Sequence, residues 1–158
     1  MTDRYYLAYG SNLSEEQMKV RTPDAVIVGT GMLEGWRLLF RQFATIEKCE
    51  GYSVPVLVWK ISEQDERSLD RYEGFPKFYR KKTLKIAVRS LSGADLGELD
   101  AMVYIMTPEA VKTRSRDPMP SQYYFDVLYL GYEKFGFDVS TLNGAFLEAL
   151  TYNKPANA

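Results

Sequence analysis

The hydrophobic and polar positions of the chain predict strands and helices in a mixed order. Short apolar runs rich in aromatic or β-branched residues predict strands, because such side chains pack well on a pleated surface. They occur at 5–8, 25–33, 36–40, 54–61, 78–88 and 99–106. Capping residues and helical spacing predict helices at 14–21 and 63–72, another from Ser121, and a last one at 141–150. This order indicates an α+β fold rather than repeated βαβ units.

Three segments between these elements have less regular patterns. The pair Glu34-Gly35 is typical of a turn, so we predict a hairpin between 25–33 and 36–40. The polar stretch 45–53 is predicted to be a loop, and 107–120, with three prolines and little periodicity, to be mostly an active-site loop or flap. Residues 152–158 are expected to fray. No repeat or linker interrupts the chain, so we predict a single domain over residues 1–158.

Charge and cysteine content narrow the classes of partner. The 20 basic and 21 acidic side chains are mixed along the chain and give a net charge of −1, which favours neither nucleic acid nor an anionic membrane. The single cysteine, Cys49, excludes an internal disulfide and fits a reducing compartment. Because neither a signal peptide nor a long apolar run is evident, we expect a cytoplasmic protein without membrane attachment.

The absence of histidine restricts the chemistry most strongly. Histidine is the commonest general base and the commonest metal ligand, and the chain contains none. A serine or cysteine nucleophile activated by histidine is therefore excluded, and a zinc site would have to consist of carboxylates, which is unusual. We expect no metal and no other cofactor. A catalytic base must be a carboxylate, a lysine or a tyrosine.

The segment Tyr9-Gly10-Ser11-Asn12-Leu13 follows the first predicted strand and precedes the first predicted helix. Ser14 and Gln17 have the spacing of a capping box, which places the helix start immediately after the loop. Gly10 can adopt positive φ, and such a turn can point backbone N–H groups outward to hold a carboxylate. The same residue types are equally typical of a plain turn, so the loop alone does not decide.

Glu73 is the candidate acid/base. It is predicted to end the helix over 63–72, just before Gly74, where the negative end of the helix dipole disfavours a carboxylate and raises its pKa. Enclosure by Tyr72 and Phe75 would raise the pKa further, from ~4.3 toward ~6–7, where the group can both accept and return a proton. The alternative is a solvated glutamate at a helix end.

Three segments in this order resemble the gamma-glutamyl cyclotransferase superfamily, in the branch with the AIG2-like and gamma-glutamylamine cyclotransferase proteins. They are the loop at 9–13, Asp70-Arg71-Tyr72-Glu73-Gly74-Phe75 and Pro120-Ser121-Gln122-Tyr123. The resemblance implies a small mixed-strand β-barrel flanked by helices, with the site at its mouth. It also implies an intramolecular aminolysis that releases 5-oxoproline from a gamma-glutamyl amine or gamma-glutamyl amino acid, which would be the small-molecule partner.

The resemblance also implies roles for individual residues. Glu73 would be the general acid/base, while the loop would hold the glutamyl carboxylate or polarise the γ-carbonyl. Tyr79 and Tyr123 would line the pocket and donate hydrogen bonds; core packing is the alternative for them and for Tyr9. The substrate-binding set is therefore Tyr9, Gly10, Ser11, Asn12, Leu13, Tyr79 and Tyr123. Asn12 departs from the glutathione-degrading branch, so glutathione is the less expected substrate.

Several alternatives stay open at the level of the sequence. Lys112, Arg114 and Arg116 form either a solvated run or a group that attracts the carboxylate of an amino-acid leaving group. The chain is either an enzyme or a non-catalytic module of the same fold that binds a small carboxylate. Nucleotide binding is disfavoured, because the sequence has neither G-x-x-x-x-G-K-[ST] nor G-x-G-x-x-G. The oligomeric state is not predicted.

Overall fold

The computed structural model describes residues 3–152, so the predicted fraying of the last residues lies outside the described part apart from Tyr152. The strands are β1 Arg4–Ala8, β2 Val26–Arg41, β3 Phe43–Ile61, β4 Tyr79–Arg89 and β5 Asp95–Met106. A short 3-10 helix, Ser11–Leu13, follows β1. The α-helices are α1 Glu15–Arg21, α2 Glu63–Glu73, α3 Pro108–Arg114, α4 Gln122–Phe135 and α5 Val139–Tyr152.

The five strands form one sheet that closes on itself in the order β1-β3-β2-β4-β5. Neighbouring strands are antiparallel except for β1 and β5, which meet in parallel where Tyr6 pairs with Met102. The predicted α+β fold with a small mixed-strand barrel and flanking helices is thereby confirmed. The barrel interior buries aliphatic side chains of β1 and β3, including Leu7, Val56 and Val58. Helices α4 and α5 contribute Leu128, Tyr132 and Leu142 to the same core.

The region 25–61 differs from the prediction. Glu34-Gly35 is not a hairpin turn, because β2 continues through it with only a register shift, and Gly35, at φ 81°, sits in that bulge. The predicted loop at 45–53 is also wrong, since these residues belong to the 19-residue β3, in which 45–48 and Ser53 pair with β2. Thr45 is buried, but the charged residues of this stretch are exposed, so their polarity reflects an exposed sheet face. The true turn is at Gln42.

The region 107–120 also differs from the prediction. Residues 108–114 form helix α3, with Thr107 as its N-cap and Pro108 at its start, where proline is tolerated. Only 115–121 remain irregular before Ser121 caps α4. Pro108 therefore begins α3 and Pro120 directly precedes the α4 cap, whereas Pro118 lies in the irregular segment.

Caps predicted from the sequence set the helices that flank the site. The hydroxyl of Ser14 accepts from the N–H of Gln17 at 3.3 Å, as predicted, but the return bond of a capping box is missing and Gln17 Oε1 is buried without a partner among the described residues. Ser62 and Asp65 form a complete capping box on α2. None of the helices within residues 3–152 is long and apolar enough to cross a membrane.

Candidate active site

A cavity of about 410 Å³ opens where β1 leaves the barrel and α2 ends. The early loop, the C-terminus of α2, the β2–β3 turn, α3 and α4 all contribute to its wall. Its main polar and aromatic lining residues are Tyr6, Tyr9, Gly10, Ser11, Asn12, Arg71, Tyr72, Glu73, Phe78, Tyr79, Tyr104, Arg114 and Tyr124. The structure thus brings together Glu73 and most of the loop, although more than sixty positions separate them in the sequence.

The loop holds its shape with its own hydrogen bonds and leaves other donors unused. The N–H of Leu13 donates to the carbonyl of Gly10, and the N–H of Ser14 donates to the carbonyl of Ser11, each at 3.0 Å. The N–H groups of Gly10, Ser11 and Asn12 have no acceptor among the described residues. They are therefore available to an anion or a polarised carbonyl.

Gly10 does not adopt the positive φ expected from the sequence; its φ is −122°. The glycine serves close approach instead, because a Cβ there would lie 3.3 Å from the hydroxyl oxygen of Tyr124 and 3.5 Å from Cβ of Ala44. A side chain at position 10 would occupy the space in front of the Tyr124 hydroxyl.

Asn12 is a buried anchor, with 2% of its surface exposed. Its amide nitrogen donates to the hydroxyl of Tyr6 at 3.0 Å, and its backbone carbonyl accepts from the Trp59 indole at 3.2 Å. Its side-chain oxygen accepts from Arg21 Nη1 at 2.6 Å. The side chain of Asn12 therefore fixes the loop and orients a guanidinium. Leu13, also predicted for the site, does not line the cavity; it is buried against Gly131 of α4.

Arg21 was not predicted as a site residue. Its guanidinium stacks on the ring of Tyr72, 3.3 Å from the centroid, in addition to its bonds to the loop. It is also the charged group that acts on the pKa of Glu73. The missed signal was its position at the C-terminal end of α1, one short helix away from the loop.

Glu73 ends α2, and Gly74 follows it in the left-handed conformation, at φ 65°. A Cβ on Gly74 would lie 2.6 Å from Cδ2 of Phe78, so both the backbone angle and the space require glycine. Burial raises the pKa of the Glu73 carboxyl to about 7, and Arg21 opposes that rise. Among residues 3–152, none donates a hydrogen bond to this carboxylate. Of the two aromatic neighbours expected to enclose it, Tyr72 lines the cavity and Phe75 does not.

The tyrosines of the cavity differ in how their hydroxyls are used. Tyr9 donates to the carbonyl of Tyr104 at 2.7 Å, and Tyr79 donates to the carbonyl of Ala44 at 2.8 Å. Burial raises the pKa of both well above the usual value, so they are neutral. Because each gives its only hydrogen to the main chain, neither can donate to a ligand without losing that bond.

Tyr124 occupies the place in the cavity that we predicted for Tyr123. The Tyr123 side chain is 75% exposed and lines a different groove, beside α1. One residue along a helix turns the side chain by about 100°, and the buried face of α4 contains Tyr124 and Leu128. The Tyr124 hydroxyl accepts from the N–H of Ala44 at 3.1 Å, and its own hydrogen has no acceptor among the described residues.

The cationic run of α3 is divided between two surfaces. Arg114 lines the cavity, whereas Lys112 and Arg116 line a separate groove on the outside of the barrel. The structure therefore separates Arg114 from Lys112 and Arg116.

Comparison with known proteins places the chain among relatives. Residues 6–126, more than half of the chain, match the family model described as gamma-glutamyl cyclotransferase, AIG2-like. The chain belongs to this family. Its gamma-glutamylcyclotransferase relatives include the mouse protein, at 29% identity, and the human protein, at 27% identity; each match spans 143 residues, 83% of this chain and 71% of the relative.

A solved structure called gamma-glutamyl cyclotransferase is similar to the fold of this family member. The TM-score is 0.71 at 24% identity, over 91% of this chain and 86% of the other. A structure of a mouse AIG2-like protein gives a TM-score of 0.57 at 20% identity, over 70% of this chain and 84% of the other. At these identities the likeness concerns the fold, and it agrees with the closed sheet described above.

Proposed function

We propose that the protein is a gamma-glutamyl cyclotransferase that releases 5-oxoproline from a gamma-glutamyl amine or gamma-glutamyl amino acid, with Glu73 as its general acid/base. One observation carries the proposal. A carboxylate with no donor among the described residues lines the same cavity as a loop with three unused N–H groups, and its pKa is raised to about 7. Family membership supports the reaction class.

The pKa of Glu73 suits the proton transfer that ring closure requires. The substrate's α-ammonium must lose a proton before its nitrogen attacks the γ-carbonyl. Transfer to a group with a pKa of about 7 costs about 3 kcal/mol less than transfer to an ordinary carboxylate near 4.5. The protonated Glu73 can then give that proton to the leaving nitrogen.

Positioning supplies most of the remaining rate enhancement in this proposal. The nucleophile and the carbonyl belong to one molecule, and well-oriented intramolecular attack is worth about 7–11 kcal/mol against a bimolecular reference. The N–H groups of Gly10, Ser11 and Asn12 would hold the glutamyl carboxylate or the oxygen that gains charge, and the Tyr124 hydroxyl would donate beside them. The C–N bond of the ring forms as the amide bond to the leaving group breaks, without water.

The test is 5-oxoproline release from a panel of gamma-glutamyl compounds by the wild type and Glu73→Gln. Loss of the acid/base is expected to lower kcat by about 10²–10⁴-fold. Glu98→Gln, an exposed glutamate on β5, is the matched control and should leave the rate unchanged. Equal rates for Glu73→Gln and the wild type would remove Glu73 from the mechanism. Binding of gamma-glutamyl compounds without product from the wild type would instead support the carboxylate-binding module.

A further inference from the structure

Arg114, the last residue of α3, brings a positive charge to the cavity wall beside Phe43 and Phe78. Arg21 is the cation that acts on the pKa of Glu73, whereas Arg114 acts on that of Tyr79. Arg114 lines the cavity itself, whereas Arg21 does not line it and holds the loop through the side-chain oxygen of Asn12. Arg21 lies beside the loop and Glu73, and Arg114 lies beside Tyr79 and the β2–β3 turn.

Arg114 is held without being neutralised. Its Nη1 donates to the side-chain oxygen of Gln42 at 2.5 Å, and its guanidinium carbon lies 4.9 Å from the ring centroid of Phe43 and 5.1 Å from that of Phe78. No carboxylate of the described residues forms an ion pair with it. A neutral amide and two rings fix the direction of the guanidinium fork and leave its charge for another anion.

Arg41, which precedes Gln42 in the sequence, differs from Arg114 because it has a carboxylate partner. Arg41 is 4% exposed and makes a bidentate pair with Glu148, at 2.7 and 2.8 Å. Arg41 is therefore neutralised by a carboxylate within the fold, and its role is structural. Arg114 has the open arrangement that bidentate carboxylate recognition uses.

Gln42 has an unusual backbone. Its φ is 72°, the only positive φ outside glycine among the described residues, and its N–H donates to the carbonyl of Pro118 at 2.8 Å. A tight turn in this conformation favours glycine, because a Cβ is disfavoured there. The side chain present at this disfavoured position is the one that holds Arg114, and such outliers concentrate at ligand sites.

The cavity has charges for two carboxylates. Glu73 is the only acidic residue among those that line it, Arg71 and Arg114 are the cations that line it, and the loop N–H groups already provide for one anion. A gamma-glutamyl amine has one carboxylate, whereas a gamma-glutamyl amino acid has a second one on its leaving group. Arg114 lines the same cavity as the loop, so it is the candidate partner for that second group when the loop holds the glutamyl part.

We propose that Arg114 determines specificity by binding the carboxylate of an amino-acid leaving group, and that Gln42 positions Arg114 for this contact. The preferred substrates are then gamma-glutamyl amino acids rather than gamma-glutamyl amines. This inference rests on the proposed function, since it assigns the two ends of a gamma-glutamyl substrate to the loop and to Arg114.

The experiment compares three substrates that differ only at the leaving group. They are gamma-glutamyl-alanine, its uncharged alaninamide analogue, and gamma-glutamyl-ethylamide, which lacks the carboxyl group altogether. The wild type is expected to prefer the alanine compound by about 10- to 100-fold in kcat/KM, the usual effect of a charge-assisted hydrogen bond. Arg114→Gln should remove this preference, mainly through a higher KM for the alanine compound.

Further variants separate recognition from folding. Arg114→Lys keeps the charge but loses the fork, so it should retain part of the preference. Gln42→Ala should weaken the preference mainly through a higher KM for the alanine compound, the effect expected of a positioning residue. Arg116→Gln removes the same charge from the outer groove and should change nothing. Thermal denaturation of each variant shows whether it folds. If Arg114→Gln does not fold, the substrate preference of the wild type and its partial retention in Arg114→Lys test the assignment of Arg114.

The outcomes distinguish the two proposals. If the wild type releases no 5-oxoproline from any compound, the proposed function fails and this inference falls with it. If product forms from all three compounds at similar efficiency, the assignment of Arg114 is overturned while the proposed function stands. The assignment is also overturned if Arg114→Gln lowers all three efficiencies equally, because Arg114 would then serve the glutamyl end or the fold.

Discussion

Glu66 and Glu73 lie two turns apart on the same helix, and their carboxylates have opposite environments. Glu66 receives Arg4 at 2.7 Å and Lys81 at 2.8 Å. Although its partial burial raises the pKa, the hydrogen bonds from Lys81 and Arg4 outweigh burial and lower it. Glu73 is also withdrawn from solvent but has no such donors, and its pKa rises to about 7.

The paired carboxylates of α2 hold the helix in place, whereas the unpaired carboxylate of Glu73 can take part in proton transfer. Lys81 joins Glu66 to Asp70, which also accepts from the Tyr104 hydroxyl at 2.6 Å, so the middle of the helix is tied to β4 and β5. At the end of the helix, Glu73 has no comparable partner among the described residues. One helix therefore supplies both a fixed support and a carboxylate that can gain and lose a proton near neutral pH.

The largest expected effect comes from displacing Glu73 without changing it. In Gly74→Ala, the added Cβ would lie 2.6 Å from Phe78, and the alanine would have to adopt a disfavoured positive φ. Because the end of α2 must then shift and carry Glu73 with it, we expect at least about a 100-fold loss of activity. Gly136→Ala is the matched control, because Gly136 caps α4 at φ 69° with nothing within 4 Å of its added Cβ. Both variants should lose about 1–2 kcal/mol of stability from the backbone angle. A similar loss of activity in both would mean that the geometry at Glu73 is not critical.

The pH dependence of activity should report Glu73 rather than Glu66. The base must be ionised, so kcat/KM should rise with pH and level off above the pKa of Glu73, which is about 7. Below that value the rate should fall about tenfold per pH unit. Glu66→Gln should leave the pH at which kcat/KM begins to fall unchanged. A fall that begins near 4.5 in the wild type would show that Glu73 titrates as an ordinary carboxyl.

The same two glutamates should affect stability with opposite signs. The folded-state pKa of Glu73 is raised from 4.5 to about 7, so its contribution to stability is present below pH 4.5 and is lost as the pH rises through 7. Glu73→Gln should therefore be more stable than the wild type at pH 8, by up to about 3 kcal/mol, and equal to it at pH 4.

Glu66→Gln should behave in the reverse way. Its lowered pKa stabilises the fold above the ordinary carboxyl pKa, and this contribution disappears as the pH falls through the folded-state value, below 4.5. We expect the variant to lose on the order of 1 kcal/mol at pH 7 and to converge with the wild type in acid. Urea unfolding at pH 4, 6 and 8 measures both variants. A loss of stability in Glu73→Gln at pH 8 would contradict the contrast.

Local signals in the sequence located most elements of the fold, and the site residues near them. Ser14, Ser62 and Ser121 cap the helices they were expected to cap, and the position of Glu73 before Gly74 follows from helix-end chemistry. The β2–β3 extension was missed, because a polar exposed strand has the composition of a loop until its partner is known. Helix α3 was missed because it is only two turns long and begins at Pro108, while the other two prolines of the stretch lie beyond its end.

The groups that complete the cavity depend on tertiary contacts. Tyr123 and Tyr124 are adjacent and identical in type, so only the orientation of α4 on the barrel decides which of them faces Gly10. Arg21 and Arg114 come from helices on either side of the cavity, and no spacing rule relates them to Glu73. Closure of the barrel, which sets these distances, came from the family resemblance and not from periodicity.

The smallest expected effect extends the comparison to hydroxyl groups. Tyr79 and Tyr124 both bond the main chain of Ala44, but Tyr79 gives its hydrogen to the carbonyl, whereas Tyr124 accepts from the N–H and keeps its own hydrogen. Replacing either with Phe leaves one buried main-chain group unpaired and should cost about 1–2 kcal/mol.

Only Tyr124→Phe also removes a donor that is free to meet a substrate oxygen, so only it should lower kcat, by about tenfold. Paired measurements of 5-oxoproline release and urea unfolding separate the two effects. Tyr123→Phe, on the exposed side of α4, should change neither. Equal losses of kcat in Tyr79→Phe and Tyr124→Phe would show that the cavity needs an intact support around Ala44 and not a free hydroxyl hydrogen.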